Sequence, residues 1–290
     1  MKLGLGTVEF AAKSGKHAIH VSHEEVRHIL DIAHQAGIPL LDTAPQAGDS
    51  LEVLGECLAA HQQFKIVAKA PAFSTDFVAA HHAEQLDKSL RQTLETLKQP
   101  QVYALMIHCD QGLIANQGEK LFKRMQGLKS EGLIEKVGVS VNDAAQIDSL
   151  LDRFQPDIVQ LPLNVLDQRL LHSGHLARLK AGNLEIHVRD ISLQGILLDP
   201  SRLHPWFWPI RKQMDAYHQF LIAEGLTPLE GALNFIASLP EVDFALVGVQ
   251  TVRQLEEVVN TMYLPLTSES FAPFACMDIK FIDQRHWNLY

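Results

Sequence analysis

The sequence predicts a (β/α)8 barrel built as one domain over residues 1–290. Three observations predict it. Eight short apolar runs recur along the chain, each followed by a stretch of helical periodicity. Most of the runs are continuously hydrophobic rather than alternating, as parallel strands covered on both faces are. No Ser/Gly-rich linker or low-complexity segment divides the chain, and its Gly and Pro residues fall at the joints between units. Eight β-then-α units in one undivided chain close most simply into a barrel. The competing arrangement is a doubly wound open sheet, which usually carries GxGxxG after an early strand; that motif is absent.

The expected strands are, in order, Lys2–Gly6, Ile38–Asp42, Lys65–Lys69, Val102–His108, Lys136–Ser140, Asp157–Pro162, Glu185–Arg189 and Phe244–Gly248. Between the first two, "SHEE" at Ser22–Glu25 reads as a capping box opening a helix that stops at Gly37. Leu90, Leu94 and Leu97 stand at helical spacing after the third strand. "TVRQ" at Thr251–Gln254 reads as a second capping box, after the eighth.

Bulk properties narrow the function. The chain has 290 residues, 47% of them hydrophobic, enough to bury a sizeable core. A net charge of -9 and a pI near 5.9 argue against nucleic acid or anionic membrane as a partner. Cys57, Cys109 and Cys276 are odd in number and form no CxxC, which fits a reducing compartment. Neither a signal-like start nor a run approaching roughly 18 apolar residues is present. The expectation is a cytoplasmic protein acting on a small molecule. Nothing in the sequence specifies an oligomeric state.

In such a barrel the site forms at the C-terminal strand ends. There the expected strands place Asp42, Lys69, His108, Ser140, Gln160 and Arg189. A single polar residue at a strand end usually just meets solvent. An acid, an amine and an imidazole at three adjacent ends point to a reaction.

These residues sit within an ordered set of motifs: "GLGTVEF", "LDTAPQAGDSLEVLG", "KIVAKA", "ALMIH", "KVGVSV", "DIVQLPLNVLDQRLL", "IHVRDISLQGILL", "VGVQTVRQLEEV" and "FIDQRHWN". The set resembles the aldo-keto reductase family nearly end to end, and within it the bacterial branch of sugar and cell-surface metabolism. The resemblance implies reduction of a small carbonyl substrate by NADPH or NADH, without a metal. It assigns Asp42, Lys69 and His108 to three of the family's four catalytic positions. The family pattern D-T-A-x-x-Y-G reads Asp42-Thr43-Ala44-Pro45-Gln46-Ala47-Gly48 here, so Ala47 replaces the proton-donating Tyr. The Glu expected shortly after it reads Leu51.

The resemblance also implies cofactor contacts, and these are mixed. Ser140 and Gln160 match residues that hold the nicotinamide carboxamide. Arg189 stands where an aromatic often stacks, and a planar guanidinium also stacks. Asp190 replaces a Ser near the diphosphate and would repel it unless paired. Gly6, Thr7, Leu193, Gly195, Gly248, Gln250 and Thr251 complete the backbone of the expected site. Glu257 matches the acid that meets adenine. The usual Arg for the 2′-phosphate reads Gln254, with Arg253 one place earlier, and Val258 replaces an Asn. The choice between NADP and NAD stays open.

On the substrate side, Trp206 and Trp208 in "HPWFWP" are either an aromatic wall or a hydrophobic anchor for their loop. Cys109 follows His108 and is either mouth-lining or buried. The tail "RHWNLY" is expected over the mouth, where Tyr290 is the one phenol placed to replace the missing one. Tyr103 lies too deep, and Tyr217 and Tyr263 read as helical. His17, His20 and His23 are spaced by three, but no HExxH or strand-end His pair accompanies them, and no metal site is expected. Three readings remain: an NAD(P)-dependent reductase with altered proton delivery, a catalytically impaired relative that binds a nucleotide or carbonyl ligand, and a barrel enzyme turning the triad to other chemistry.

Overall fold

The computed structural model describes residues 1–11, 21–44, 48–73, 75–199 and 203–287, with Asp110 and Gln111 described by backbone alone. Eight strands form a closed parallel barrel in chain order. They are β1 (Lys2–Gly6), β2 (Leu40–Asp42), β3 (Lys65–Lys69), β4 (Val102–His108), β5 (Ile134–Ser140), β6 (Ile158–Pro162), β7 (Glu185–Arg189) and β8 (Phe244–Gly248). β8 pairs back onto β1 and leaves no sheet edge.

The bounds differ from expectation at three starts. β2 begins at Leu40 rather than Ile38, because Pro39 has no N–H to give a ladder. β5 begins two residues early, at Ile134, since Glu135 and Lys136 interrupt its apolar run without interrupting its pairing with β4. β6 begins one residue late, and the Asp157 carboxylate instead accepts the N–H of Val137 at 2.8 Å.

Among the described residues the α-helices are α1 (His23–Gln35), α2 (Ser50–Cys57), α3 (Ala80–Leu97), α4 (Glu119–Ser130), α5 (Ala144–Leu151), α6 (Arg169–His172), α7 (His175–Ala181), α8 (Arg211–Glu224), α9 (Pro228–Ala237), α10 (Val252–Val259), α11 (Ser268–Phe271) and α12 (Ile279–Ile282). Both expected capping boxes are half-made. Ser22 Oγ accepts the N–H of Glu25 at 3.1 Å, but the Glu25 carboxylate turns away and accepts the N–H of Val252 at 2.6 Å. Thr251 Oγ1 accepts the N–H of Gln254, whose own side-chain oxygen accepts from Gln250 N–H instead. The full reciprocal box lies at Thr227–Glu230, opening α9.

The core has two compartments. A large one lies between the barrel and its helices. A smaller one fills the barrel interior with Leu40, Val67, Tyr103, Met106, Ile158, Phe244 and Leu246. Gly138 makes room for it: a Cβ there would meet Met106 Cε at 2.9 Å. Among the described residues no single helix is long and apolar enough to cross a membrane.

Candidate active site at the barrel mouth

Register sets the strand ends level. Asp42 stands opposite Gly6, which stands opposite Gly248. His108 faces Ser140, and Ser140 faces Gln160. Thr7 ties β1 to β2 by donating its N–H to the Asp42 carbonyl at 2.9 Å.

Asp42 and Lys69 form an ion pair with side chains only 8% and 11% exposed. The second Asp42 oxygen accepts from Gln160 Nε2 at 3.2 Å across the barrel. Both oxygens are therefore occupied, which a buried carboxylate requires. Lys69, His108, Gln160 and Arg189 line one cavity of about 450 Å³ at the mouth. Ser140 Oγ, Gln160 Oε1 and Arg189 Nε are buried there or just beneath, without hydrogen-bond partners. A hydroxyl beside an amide oxygen offers one donor and one acceptor, the complement of a primary carboxamide.

Arg189 is held along one edge. Its Nη1 pairs with the Asp190 carboxylate, and its Nη2 donates to Asn142 Oδ1 at 2.5 Å and to the Val141 carbonyl at 3.3 Å. Asp190, in a left-handed conformation (φ 60°), also accepts from Gln284 Nε2 at 2.7 Å. The acid near the expected diphosphate position is thus paired.

A groove leaves the mouth at Asp190. Its first part, about 420 Å³, is lined by Glu9, Gly195, Gly248, Gln250 and Gln254 among others. A second part of about 530 Å³ shares Gly248, Gln254 and Val258 and adds Glu230 and Glu257. Among the described lining residues are four carboxylates (Glu9, Asp190, Glu230 and Glu257) and neither Lys nor Arg. Glu9 accepts from Gln250 Nε2 at 2.7 Å. Arg253 is 86% exposed and pairs with Glu257, one turn along α10. Leu193 is fully buried beneath the groove at φ 49°. The N-terminus of α10 is an anion site in principle, but Glu25 already holds the N–H of Val252 there. Thr251 serves as its N-cap.

The substrate-side expectations are revised. Trp206 and Trp208 do not line the mouth cavity. Trp206 donates Nε1 to the Lys280 carbonyl at 3.3 Å, Phe207 is buried edge-on to Trp287 at 5.2 Å, and Trp208 is 60% exposed. The aromatic run anchors the C-terminal segment rather than walling the site. Cys109 is buried, and its thiol points to the Gln146 carbonyl. Tyr263 lies outside any helix. Ala47 and Tyr290 lie outside the described residues, as do His17 and His20. His23 opens α1 and stands 3.4 Å from Glu56. Among the described residues no three His, Cys, Asp or Glu side chains converge as metal ligands.

Sequence reasoning missed Asn142, Arg169, Asp283, Gln284 and Arg285, all of which line the mouth. The last three precede or open the C-terminal segment expected over the mouth, of which Arg285 lines the cavity and residues 288–290 lie outside the described residues. Arg169 stands seven residues past the end of β6, too far along for a strand-end reading.

A family model described as the aldo/keto reductase family matches residues 2–277. No curated protein matches. Among solved structures, the aldo-keto reductase AKR11C1 from Bacillus halodurans, in its holo form, is similar with a TM-score of 0.78 at 16% identity over 99% of this chain and 95% of that one. The glycerol dehydrogenase AKR11B4 from Gluconobacter oxydans is similar with a TM-score of 0.73 at 20% identity over 94% and 89%. At these identities the likeness establishes the fold.

Proposed function

This chain belongs to the aldo/keto reductase family, a family of oxidoreductases, and we propose that it reduces a small carbonyl compound with NADH or NADPH and without the family's phenol. The buried Asp42–Lys69 pair carries the reading. A structural ion pair at that depth is weak evidence of stability. One that aims an ammonium into a cavity shared with an imidazole is suited to charge developing on a carbonyl oxygen. The orphaned Ser140 hydroxyl and Gln160 amide oxygen fit a nicotinamide carboxamide.

Ser140 and Gln160 would hold the carboxamide of a nicotinamide cofactor, which would supply the hydride for the carbonyl carbon. Lys69, fixed by Asp42, stabilises the negative charge that builds on oxygen. His108 orients that oxygen by a hydrogen bond. Ala47 has no acidic proton to give, so delivery falls to a water held by Lys69 and His108, or to the phenol of Tyr290.

A second reading, an impaired family member that binds a nucleotide or carbonyl ligand, is favoured by the acidic groove and the α10 N-terminus capped by Glu25. Oxidation of NADH and NADPH at 340 nm with 4-nitrobenzaldehyde separates the two. Slow turnover, lowered further in Lys69→Met, supports the reductase. Cofactor binding with no turnover supports the second reading.

A further inference from the structure

Away from the mouth, three side chains of the outer helical layer form a line of hydrogen bonds that the reductase reading does not use. Ser173 Oγ lies 2.8 Å from His175 Nδ1, and His175 Nε2 lies 3.3 Å from Asp148 Oδ1. None of the three lines the mouth cavity. We propose that Ser173 is a nucleophile activated by His175 and Asp148, and that it takes an acyl group from activated donors of the aryl ester or thioester class. The proposal is independent of the reductase reading, and either can fail alone.

The carboxylate fixes which way the protons point. Arg178 Nη1 also pairs with Asp148 Oδ1, and that hydrogen bond holds the Asp148 carboxyl below its ordinary 3.8. An ionised carboxylate only accepts, so Nε2 of His175 carries the hydrogen in their shared bond. In the neutral imidazole Nδ1 is then a bare acceptor, and the Ser173 hydroxyl donates to it. A serine hydroxyl aimed at an imidazole that a carboxylate orients is the arrangement that activates a weak nucleophile. Which ring nitrogen faces the serine does not matter to that logic, because the roles are set by geometry.

Local backbone builds the contact. Gly174, between the two side chains, is left-handed at φ 76°, a turn that lets residues two apart meet. His175 opens α7, and Asp148 projects from α5. The His175 side chain is only 15% exposed, so packing helps Asp148 hold the plane of its ring, while Ser173 is open to an incoming donor. In the reaction Ser173 Oγ bonds to the acyl carbon as its proton passes to His175 Nδ1. The bond from that carbon to the leaving oxygen or sulfur breaks, and the leaving group takes the proton. The product is an O-acyl serine, with no electrons transferred. An exposed serine has no walled pocket for the acyl chain, so the reaction is a stoichiometric acylation with little choice among chains.

The test is a comparison of two serines in one protein. The full chain is treated with excess 4-nitrophenyl acetate at mildly alkaline pH and sampled over time, and acetyl groups are located by peptide mass spectrometry. Ser130 is the internal control: it is also exposed, but its hydroxyl donates to the Gln126 carbonyl at 3.1 Å. Ser173 is expected to gain acetyl at least about tenfold faster than Ser130. His175→Gln is expected to slow Ser173 by at least about tenfold and to leave Ser130 unchanged. Asp148→Asn is expected to slow Ser173 as well, because an amide no longer dictates the tautomer. Equal rates at the two serines overturn the proposal, as does a Ser173 rate unchanged in His175→Gln. Acetyl confined to lysines or to His175 overturns it too. The wild-type comparison decides even if a variant fails to fold.

Discussion

The Asp42 carboxylate at the end of β2 holds the Lys69 ammonium at the end of β3, and Gln160 on β6 secures its other oxygen. The charge needed to lower the pKa of a neighbouring phenol is therefore already fixed, while position 47 supplies no phenol. Ala47→Tyr is expected to raise kcat/KM for 4-nitrobenzaldehyde by ~10²–10⁴, the usual worth of a positioned general acid. The gain should be absent in Ala47→Tyr combined with Lys69→Met. Steady-state kinetics on the four proteins of this cycle gives the answer. A gain that survives the Lys69 change would mean the new phenol acts without the ammonium.

Glu25 reaches from α1 to the first N–H of α10, the helix whose Gln254 and Val258 line both parts of the acidic groove. A phosphate arriving there meets a carboxylate in place of a donor. NADH is expected to bind at least as tightly as NADPH. Glu25→Ala leaves the Ser22 cap intact, because that bond uses the Glu25 backbone, and should shift the ratio of the two dissociation constants toward NADPH by about tenfold. Fluorescence titration of both cofactors checks it. A parent that already prefers NADPH strongly would show that Arg253 or another base serves the phosphate.

The fold was legible because it follows from short-range pattern. Apolar continuity marked all eight strands, and it misled only where Pro39 delayed β2, where Glu135 and Lys136 hid the start of β5, and at Asp157. The bottom of the site was legible for a related reason: Asp42, Lys69, His108 and Gln160 are strand-end residues whose level the barrel dictates. The rim was not. Arg285 meets Asp143 across 142 residues, and Glu25 meets Val252 across 227. Such pairings are set by how loops and tail cross the finished barrel, which no local pattern encodes. Trp206 and Trp208 show the converse. An aromatic run looks the same whether it lines a site or pins down a tail.

Deep in the barrel, Glu185 on β7 accepts from Tyr103, Lys136 and His187 at 2.7, 2.5 and 2.7 Å. Burial pushes its carboxyl up, but these hydrogen bonds outweigh burial and hold it at about 2, below its ordinary 4.5. Burial likewise raises the Tyr103 phenol to about 12. A depressed carboxyl stabilises the fold above its unfolded pKa, and that contribution is lost as pH falls from 4.5 toward 2. The stability difference between wild type and Glu185→Gln should narrow by ~2 kcal/mol between pH 6 and pH 3. Urea titrations at the two pH values measure it, and a constant difference would contradict it.

Gly55 marks the crossing of α2 and α3. A Cβ at that position would lie 2.1 Å from the Thr96 carbonyl oxygen, so the two helices must part to admit it. Overpacking against backbone costs ~1–3 kcal/mol or more. Gly55→Ala should lower the urea midpoint accordingly at an unchanged m-value, whereas an unchanged midpoint would mean the crossing is looser than its geometry.

Hydride transfer itself is the most direct test. The full chain is incubated with NADH or NADPH carrying deuterium at both C4 positions and with 4-nitrobenzaldehyde, and the alcohol product is analysed by mass spectrometry. A carbonyl reductase working through Asp42, Lys69 and His108 yields alcohol with one deuterium on its carbinol carbon, and yields far less in Lys69→Met. Alcohol without deuterium, or none from either cofactor under conditions where binding is measured, would contradict it.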